Sequence, residues 1–198
     1  MKKSFKNYLA EGFLIVFSVL FALFISGVSD DLKIKKQKRI AIDNIKRELK
    51  QNAKVLENWQ KNHKIIDRQV SELINGKNDS LLMALKNKKY LDFGLITNSR
   101  SLINSILTDT AWETTKATNI ISELDFELIE ELTRTYTLQN IVVQKTLGGI
   151  TELYFSAKTH DLNNLNKTLL QFNLRFNELV GQEKILEYSY TKTLKSLE

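Results

Sequence analysis

Residues 42–73 read IDNIKRELKQNAKVLENWQKNHKIIDRQVSEL, and their periodicity decides the fold. Ile42, Leu49, Leu56, His63 and Val70 recur every seven positions, and Ile45, Asn52, Trp59, Ile66 and Leu73 recur in the same way three residues on. Side chains spaced by threes and fours share one face of a helix, because 3.6 residues complete a turn. The pattern predicts a long helix with a sustained a/d seam. Asn75-Gly76 predicts its end, since glycine takes the left-handed conformation that closes a helix at little steric cost. Leu49, Leu56, Trp59, Ile66 and Val70 form the candidate interaction seam. Such a seam pairs with another chain or packs inside its own bundle, and the helices that follow favour the second.

Upstream, Gly12 to Val28 reads GFLIVFSVLFALFISGV without a charge. With Tyr8, Leu9 and Ala10 it reaches the length that crosses a hydrocarbon core of roughly 30 Å at about 1.5 Å per residue. The run is apolar around its whole circumference, which predicts a transmembrane helix rather than a core helix. Gly12, Phe13, Phe17, Ser18, Phe21, Ala22, Phe24, Ser26 and Val28 are its candidate lipid-embedded residues, with Tyr8 at the interface. Glu11, Ser18, Ala22 and Ser26 fall on one broad face where a second transmembrane helix could approach, against the plainer reading of serines bonded to their own backbone. Lys2, Lys3 and Lys6 also resemble the start of a cleavable signal peptide, with Gly27-Val28-Ser29 as its cleavage site, giving a secreted helical protein as an alternative. Glu11 beside the run and the helical pattern beyond it favour an uncleaved anchor.

The chain carries 29 basic and 23 acidic residues, a formal charge of +6. Lys2, Lys3 and Lys6 precede the apolar run, and Lys33, Lys35, Lys36, Lys38 and Arg39 follow it as a candidate membrane-surface collar. Without these eight, 21 basic residues face the 23 acids, so the charge points to a lipid bilayer and not to nucleic acid. Lys and Arg counts alone slightly favour a cytoplasmic body. The acids Asp30 and Asp31 at the exit, set against the short basic N-terminus, favour a body outside an inner, cytoplasmic membrane, that is, periplasmic.

Downstream, the absence of proline and the low count of seven glycines suit uninterrupted helices. Asn78-Asp79-Ser80 caps a short helix, LLMALKNKK, and Tyr90 to Leu95 reads as an irregular connector. Asn98 or Ser99 opens a helical piece through Leu107, and Asp109 or Thr110 caps another that carries Trp112 and Glu113 and is interrupted at Asn119. Phe126, Ile129, Leu132, Tyr136, Ile141 and Val143 keep helical spacing as far as Gly148-Gly149. A last helix begins near Asp161 and carries Leu162, Leu165, Leu169, Phe172, Phe176, Leu179, Leu186, Tyr190 and Leu194. The expected fold is all-α: an N-terminal transmembrane helix continuing into or followed by a long helix, packed in a bundle of three long and several short helices. The anchor occupies residues 1–30 and a single helical domain residues 31–198.

Chemistry is sparse. With no cysteine there is no disulfide, thiolate ligand or thiol nucleophile. His63 and His160 have no ligand-type neighbours, so no metal site is expected; His63 reads as a polar core or boundary residue and His160 as solvated. The acids Glu123, Asp125, Glu127, Glu130 and Glu131 read as a solvated helix start. Gly148-Gly149 lacks the strand and third glycine of a phosphate loop. Trp112 reads as the anchor of a short helix, against the sharper reading of a ligand pocket. No catalytic, cofactor-binding or metal residue is expected. A hydrolase would need a serine or glutamate hydrogen-bonded to His63 or His160.

The chain resembles a family of small single-pass membrane proteins of Bacteroidota whose activity is uncharacterised. The resemblance rests on Tyr8-Leu9-Ala10-Glu11-Gly12, on the exit Ser29-Asp30-Asp31, on Arg47-Glu48-Leu49 with Asn52, and on Thr110-Ala111-Trp112-Glu113 with Ala117-Thr118. Where members of that family carry Trp-Asn-Glu after the anchor, this chain has Val28-Ser29-Asp30. The resemblance implies membrane anchoring and helices, and no activity. The expectation is a non-enzymatic, membrane-tethered helical interaction or scaffold module of an envelope complex. It would bind a protein partner or a second copy through the transmembrane or long helix. The alternative is a sensory bundle that binds a small ligand.

Overall fold

The structure, a computed structural model, describes the backbone of residues 5–197 and the side chains of residues 10–197. Lys2 and Lys3, and the side chains of Lys6 and Tyr8, lie outside the described residues. The first helix, α1 (Phe5–Ile74), runs unbroken for 70 residues through both the apolar run and the seam. Asp30 and Asp31 interrupt nothing, and the expected border at residue 30 falls inside the helix. It is the one helix among the described residues long and apolar enough to cross a membrane, and its apolar window is not buried by the rest of the chain. Phe13, Phe17 and Phe21 stack in sequence along it, with centroids 6.3 and 6.0 Å apart. Ser18 donates to the Leu14 carbonyl at 2.7 Å, so its hydroxyl serves its own helix. The helix closes at Gly76, whose φ of +63° is the left-handed turn expected there.

The chain then caps the far end of α1 with α2 (Asp79–Lys86) and α3 (Phe93–Thr97). Asn78 caps α2 by accepting from the Leu81 amide at 3.2 Å. The connector expected at Tyr90–Leu95 is helical from Phe93, because Asp92 accepts from the Leu95 amide and starts a turn. From there the chain descends along α1 to α4 (Thr110–Ala117), returns upward as α5 (Phe126–Asn140) and α6 (Gly148–Phe155), and descends again as α7 (Leu165–Ser196). The result is an all-α bundle with α1, the α5–α6 arm and α7 as its long members, and no strand among the described residues.

The seam is consumed inside this bundle. Leu49, Leu56, Ile66 and Val70 are fully buried and Trp59 nearly so, packed with Phe172, Phe176, Leu179, Leu186 and Tyr190 of α7. The five residues expected as an interaction seam therefore offer nothing to another chain; a knob that fills a hole in its own bundle cannot fill a second one. Two further expectations are corrected. Residues 100–109 are irregular and not helical, since the left-handed Asn98 (φ 52°) and Ser99 (φ 55°) end α3. Gly148-Gly149 does not stop its helix: a π-helical turn over Ile141–Leu147 leads into α6, which contains both glycines. A Cβ at Gly149 would sit 2.6 Å from Arg175 Nη1 of α7, so the glycine admits a close approach rather than an ending.

One polar residue in the α1–α7 interface is at odds with its surroundings. Burial raises the Asp67 carboxyl above the ordinary aspartate value, and Lys184 only partly opposes it. Its Oδ1 is buried without a hydrogen-bond partner. A folded value above the unfolded one means that ionised Asp67 weakens the fold at neutral pH, and that the penalty fades as pH falls through the raised value. Asp67→Asn should raise the melting temperature at neutral pH, with a gain that shrinks as the pH is lowered through the carboxylate range. Circular-dichroism melts across that range check both halves; a gain independent of pH would show that ionisation is not the cause.

Candidate functional site

The irregular segment 98–109 and the end of α3 before it carry backbone groups that their own helices do not satisfy, and polar side chains in and beside the α1 seam satisfy them. Gln69 Nε2 donates to the Leu95 carbonyl at 2.6 Å, and His63 Nε2 bonds the Leu102 carbonyl at 2.8 Å. One turn lower, Trp59 Nε1 donates to Ser105 O at 3.1 Å. Asn52 then clasps Thr108, donating to its carbonyl at 2.6 Å and accepting from its amide at 3.0 Å. Buried backbone polar groups must be paired, and this ladder is how a strap without regular structure lies against an apolar helix. It explains why the seam holds Asn52 and His63 among its leucines.

The ladder ends at Glu48. Asp109 makes no side-chain bond to cap α4; instead Glu48 of α1 accepts from the Ala111 amide at 2.9 Å with one oxygen and from the Tyr136 hydroxyl at 2.8 Å with the other. A carboxylate at a helix N-terminus satisfies orphan amides and meets the positive end of the dipole. Burial first, and then Glu48, push the Tyr136 phenol well above the ordinary tyrosine value, so it stays a neutral donor. Trp112 is buried and stacks on Tyr136 with centroids 5.8 Å apart and planes 2° from parallel, as an anchor of α4 should. Its neighbour Glu113 pairs with Lys116 at 2.7 Å on the outside.

Held this way, α4 and the nearby face of α1 diverge and leave an open groove of about 680 Å³. The α1 wall is Gln37, Ile40, Ala41, Asn44, Glu48 and Gln51, a stripe at helical spacing beside the buried seam. The α4 wall is Thr110, Ala111, Thr114 and Thr118, with Ile120 at the end nearer the apolar run. Ile40 stands 47% exposed in the α1 wall, where a core position would be closed. Glu48 on one side meets Thr110 and Ala111 on the other. On the outer α1 rim the groove shares Arg47 and Gln51 with a shallower depression of about 380 Å³ lined by Asp43, Lys46, Lys50 and Lys54.

The remaining candidates do not gather into a second site. Among the described residues no three His, Asp or Glu side chains are placed to hold a metal ion. His63 is fully buried, with Nδ1 2.6 Å from Glu183 Oε1 and Nε2 on a main-chain carbonyl, so both nitrogens are occupied and no substrate reaches them. The histidine is bonded to a glutamate after all, in a structural pair. His160, expected to be solvated, is half-buried: its Nε2 bonds the Tyr154 carbonyl at 2.9 Å and its ring lies edge-on to Tyr90 and Tyr154. The acids Glu123, Asp125, Glu127 and Glu130 are exposed as expected, while Glu131 is half-buried against Lys192 at 3.3 Å. In the collar, Lys33, Lys35, Lys36 and Arg39 are exposed, and Lys38 is half-buried beside Asp125 at 3.8 Å. Compared with models of protein families, with curated proteins and with solved structures, the chain has no match.

Proposed function

We propose that this chain is a single-pass, membrane-tethered and non-enzymatic module that presents the α1–α4 groove to another protein, as part of an envelope complex. The groove carries the reading. In a bundle whose seam is closed, two helix faces stand apart here, lined by Ile40, Ala41, Ala111 and Ile120 among polar and small side chains, and such troughs receive a third helix. The unburied apolar run of α1 and the exposed collar behind it support anchoring, with anionic headgroups as the partner of the lysines. Asp30 and Asp31 at the exit support a periplasmic body over a cytoplasmic one. A sensory, small-ligand reading is less well supported, because ligand sites enclose most of their ligand and this trough is walled on two sides only.

Site-specific photocrosslinking tests the reading. A photoreactive residue at Thr114, in the full chain in native membranes, should give a discrete protein adduct that falls at least fivefold when Ala41→Trp fills the groove. The same reagent at Leu170, exposed on α7, should not give it. Equal adducts at both positions, or none at Thr114, would reject the groove as the docking surface.

A further inference from the structure

Resting on that reading, we infer that the occupant of the groove is an acidic amphipathic helix of a different protein, of about four turns. Its apolar stripe would seat on Ile40, Ala41 and Ala111, and its carboxylates would face Arg47, Lys50 and Lys54. Length comes first. From Gln37 to Gln51 the α1 wall measures about 21 Å at roughly 1.5 Å per residue, which is the span of about four helical turns. The walls carry small or short side chains, Ala41, Asn44, Ala111, Thr114 and Thr118, which let a partner backbone come close. Larger residues would hold it at the ordinary interaxial distance.

Charge gives the chemistry. Arg47, Lys50 and Lys54 are exposed and spaced three and four apart, so they form one ridge along the outer rim. None of them is in an ion pair among the described residues, and the depression they line contains a single carboxylate, Asp43. Arg47 does bond Asn44 Oδ1 at 2.6 Å, which holds its guanidinium at the lip of the groove. Lys61, Lys116 and Lys192, by contrast, are matched with Glu57, Glu113 and Glu131. An unmatched cationic ridge beside an apolar trough is complementary to a helix with an apolar stripe and an acidic flank.

Height excludes the two nearest rivals. Taking Val28 as the edge of the hydrocarbon core, Arg47 stands about 28 Å and Lys54 about 39 Å above it along the helix. Headgroups extend only about 5–8 Å beyond the hydrocarbon on each side, so a lipid in the bilayer does not reach this ridge. A second copy anchored in the same bilayer fares little better. Its exposed apolar stripe on α7, Leu170, Leu174, Ile185 and Tyr188, stands about level with Gln60, which Glu187 accepts from, and above it, so it lies higher than the groove between Gln37 and Gln51. The fitting partner is a helix that begins beyond the headgroups and rises beside α1.

The test uses the Thr114 photocrosslink in three backgrounds of the full chain. Lys50→Glu/Lys54→Glu should cut the adduct at least tenfold, while Lys50→Arg/Lys54→Arg should keep it within twofold. Raised salt should weaken it in the native background, and the crosslinked peptide, mapped by mass spectrometry, should carry carboxylates on one flank. An adduct that survives charge reversal, or that maps to lipid, to a second copy of this chain or to a segment without acidic residues, would overturn the inference while leaving the groove a docking surface. No adduct in the native background would instead reject the reading on which it rests. Helical content, followed by circular dichroism, shows that the reversed variant is folded.

Discussion

Glu183→Ala is expected to destabilise the bundle by about 3–5 kcal/mol, the cost of leaving one member of a buried ionisable pair without the other. Glu183 and His63 are both fully shut from solvent, 2.6 Å apart between α7 and α1. Since His63 Nε2 faces the Leu102 carbonyl, it must donate there, which leaves Nδ1 to the Glu183 carboxyl group. Removing the carboxylate strands an imidazole nitrogen in an apolar interior, and His63→Ala strands both the carboxylate and Leu102 O. The Glu183→Leu/His63→Leu double variant should lose clearly less than the sum of the two single losses, because it leaves no charge to solvate. What it cannot restore is the donor to Leu102 O, worth about 1–3 kcal/mol. Guanidinium unfolding of the full chain in detergent micelles, followed by circular dichroism, gives all the values. Additive losses would show that the two side chains are not coupled, and the assignment of a structural pair would fail.

The long helices were legible in the sequence because their signal is periodic and their residues are apolar. The 42–73 seam read correctly for that reason, while Asn75-Gly76 and Asn78 were legible as capping residues and Trp112 as a large aromatic anchor. Glu183 was hidden by chemistry and not by position. It lies four after Leu179 and three before Leu186, squarely in the buried register, and only its charge argued against the core. The same register marks Thr193, buried three after Tyr190. The groove was missed for a related reason. Gln37, Ala41, Asn44, Glu48 and Gln51 repeat by fours and threes as strictly as the seam does, but the stripe is polar or small, so a hydrophobic pattern passes over it. Residues 100–109 failed differently. LINSIL has apolar spacing that suits a helix, and what overrides it is tertiary: Asn52, Trp59 and His63 offer the irregular backbone better partners than a helix could. A polar residue at a seam position is thus informative, because it has to be matched by something irregular on the other side.

Trp59→Ala should be as damaging as loss of the buried pair, about 3–5 kcal/mol for a large aromatic removed from a closed core, and its effect should spread to the groove. Trp59 packs in the seam and, through Nε1, holds the Ser105 carbonyl at the middle of the strap. Asn52 and His63 pin the strap on either side, so deletion at the centre should loosen residues 100–109 before it unfolds α1. Hydrogen exchange is the suitable measurement: amides of the strap and the first turn of α4 should lose protection by a larger factor than those of α7. Trp59→Phe separates packing from bonding, since it keeps most of the ring while leaving Ser105 O unpaired, at about 1–3 kcal/mol. The chain has only two tryptophans, so in either variant the emission belongs to Trp112, and a red shift would report that α4 has come away from Tyr136. The α4 wall of the groove is carried on this strap; a loosened strap should therefore weaken the Thr114 crosslink even where global unfolding is far off. Unchanged strap protection in Trp59→Ala would mean that α4 is positioned by Glu48 and Trp112 alone.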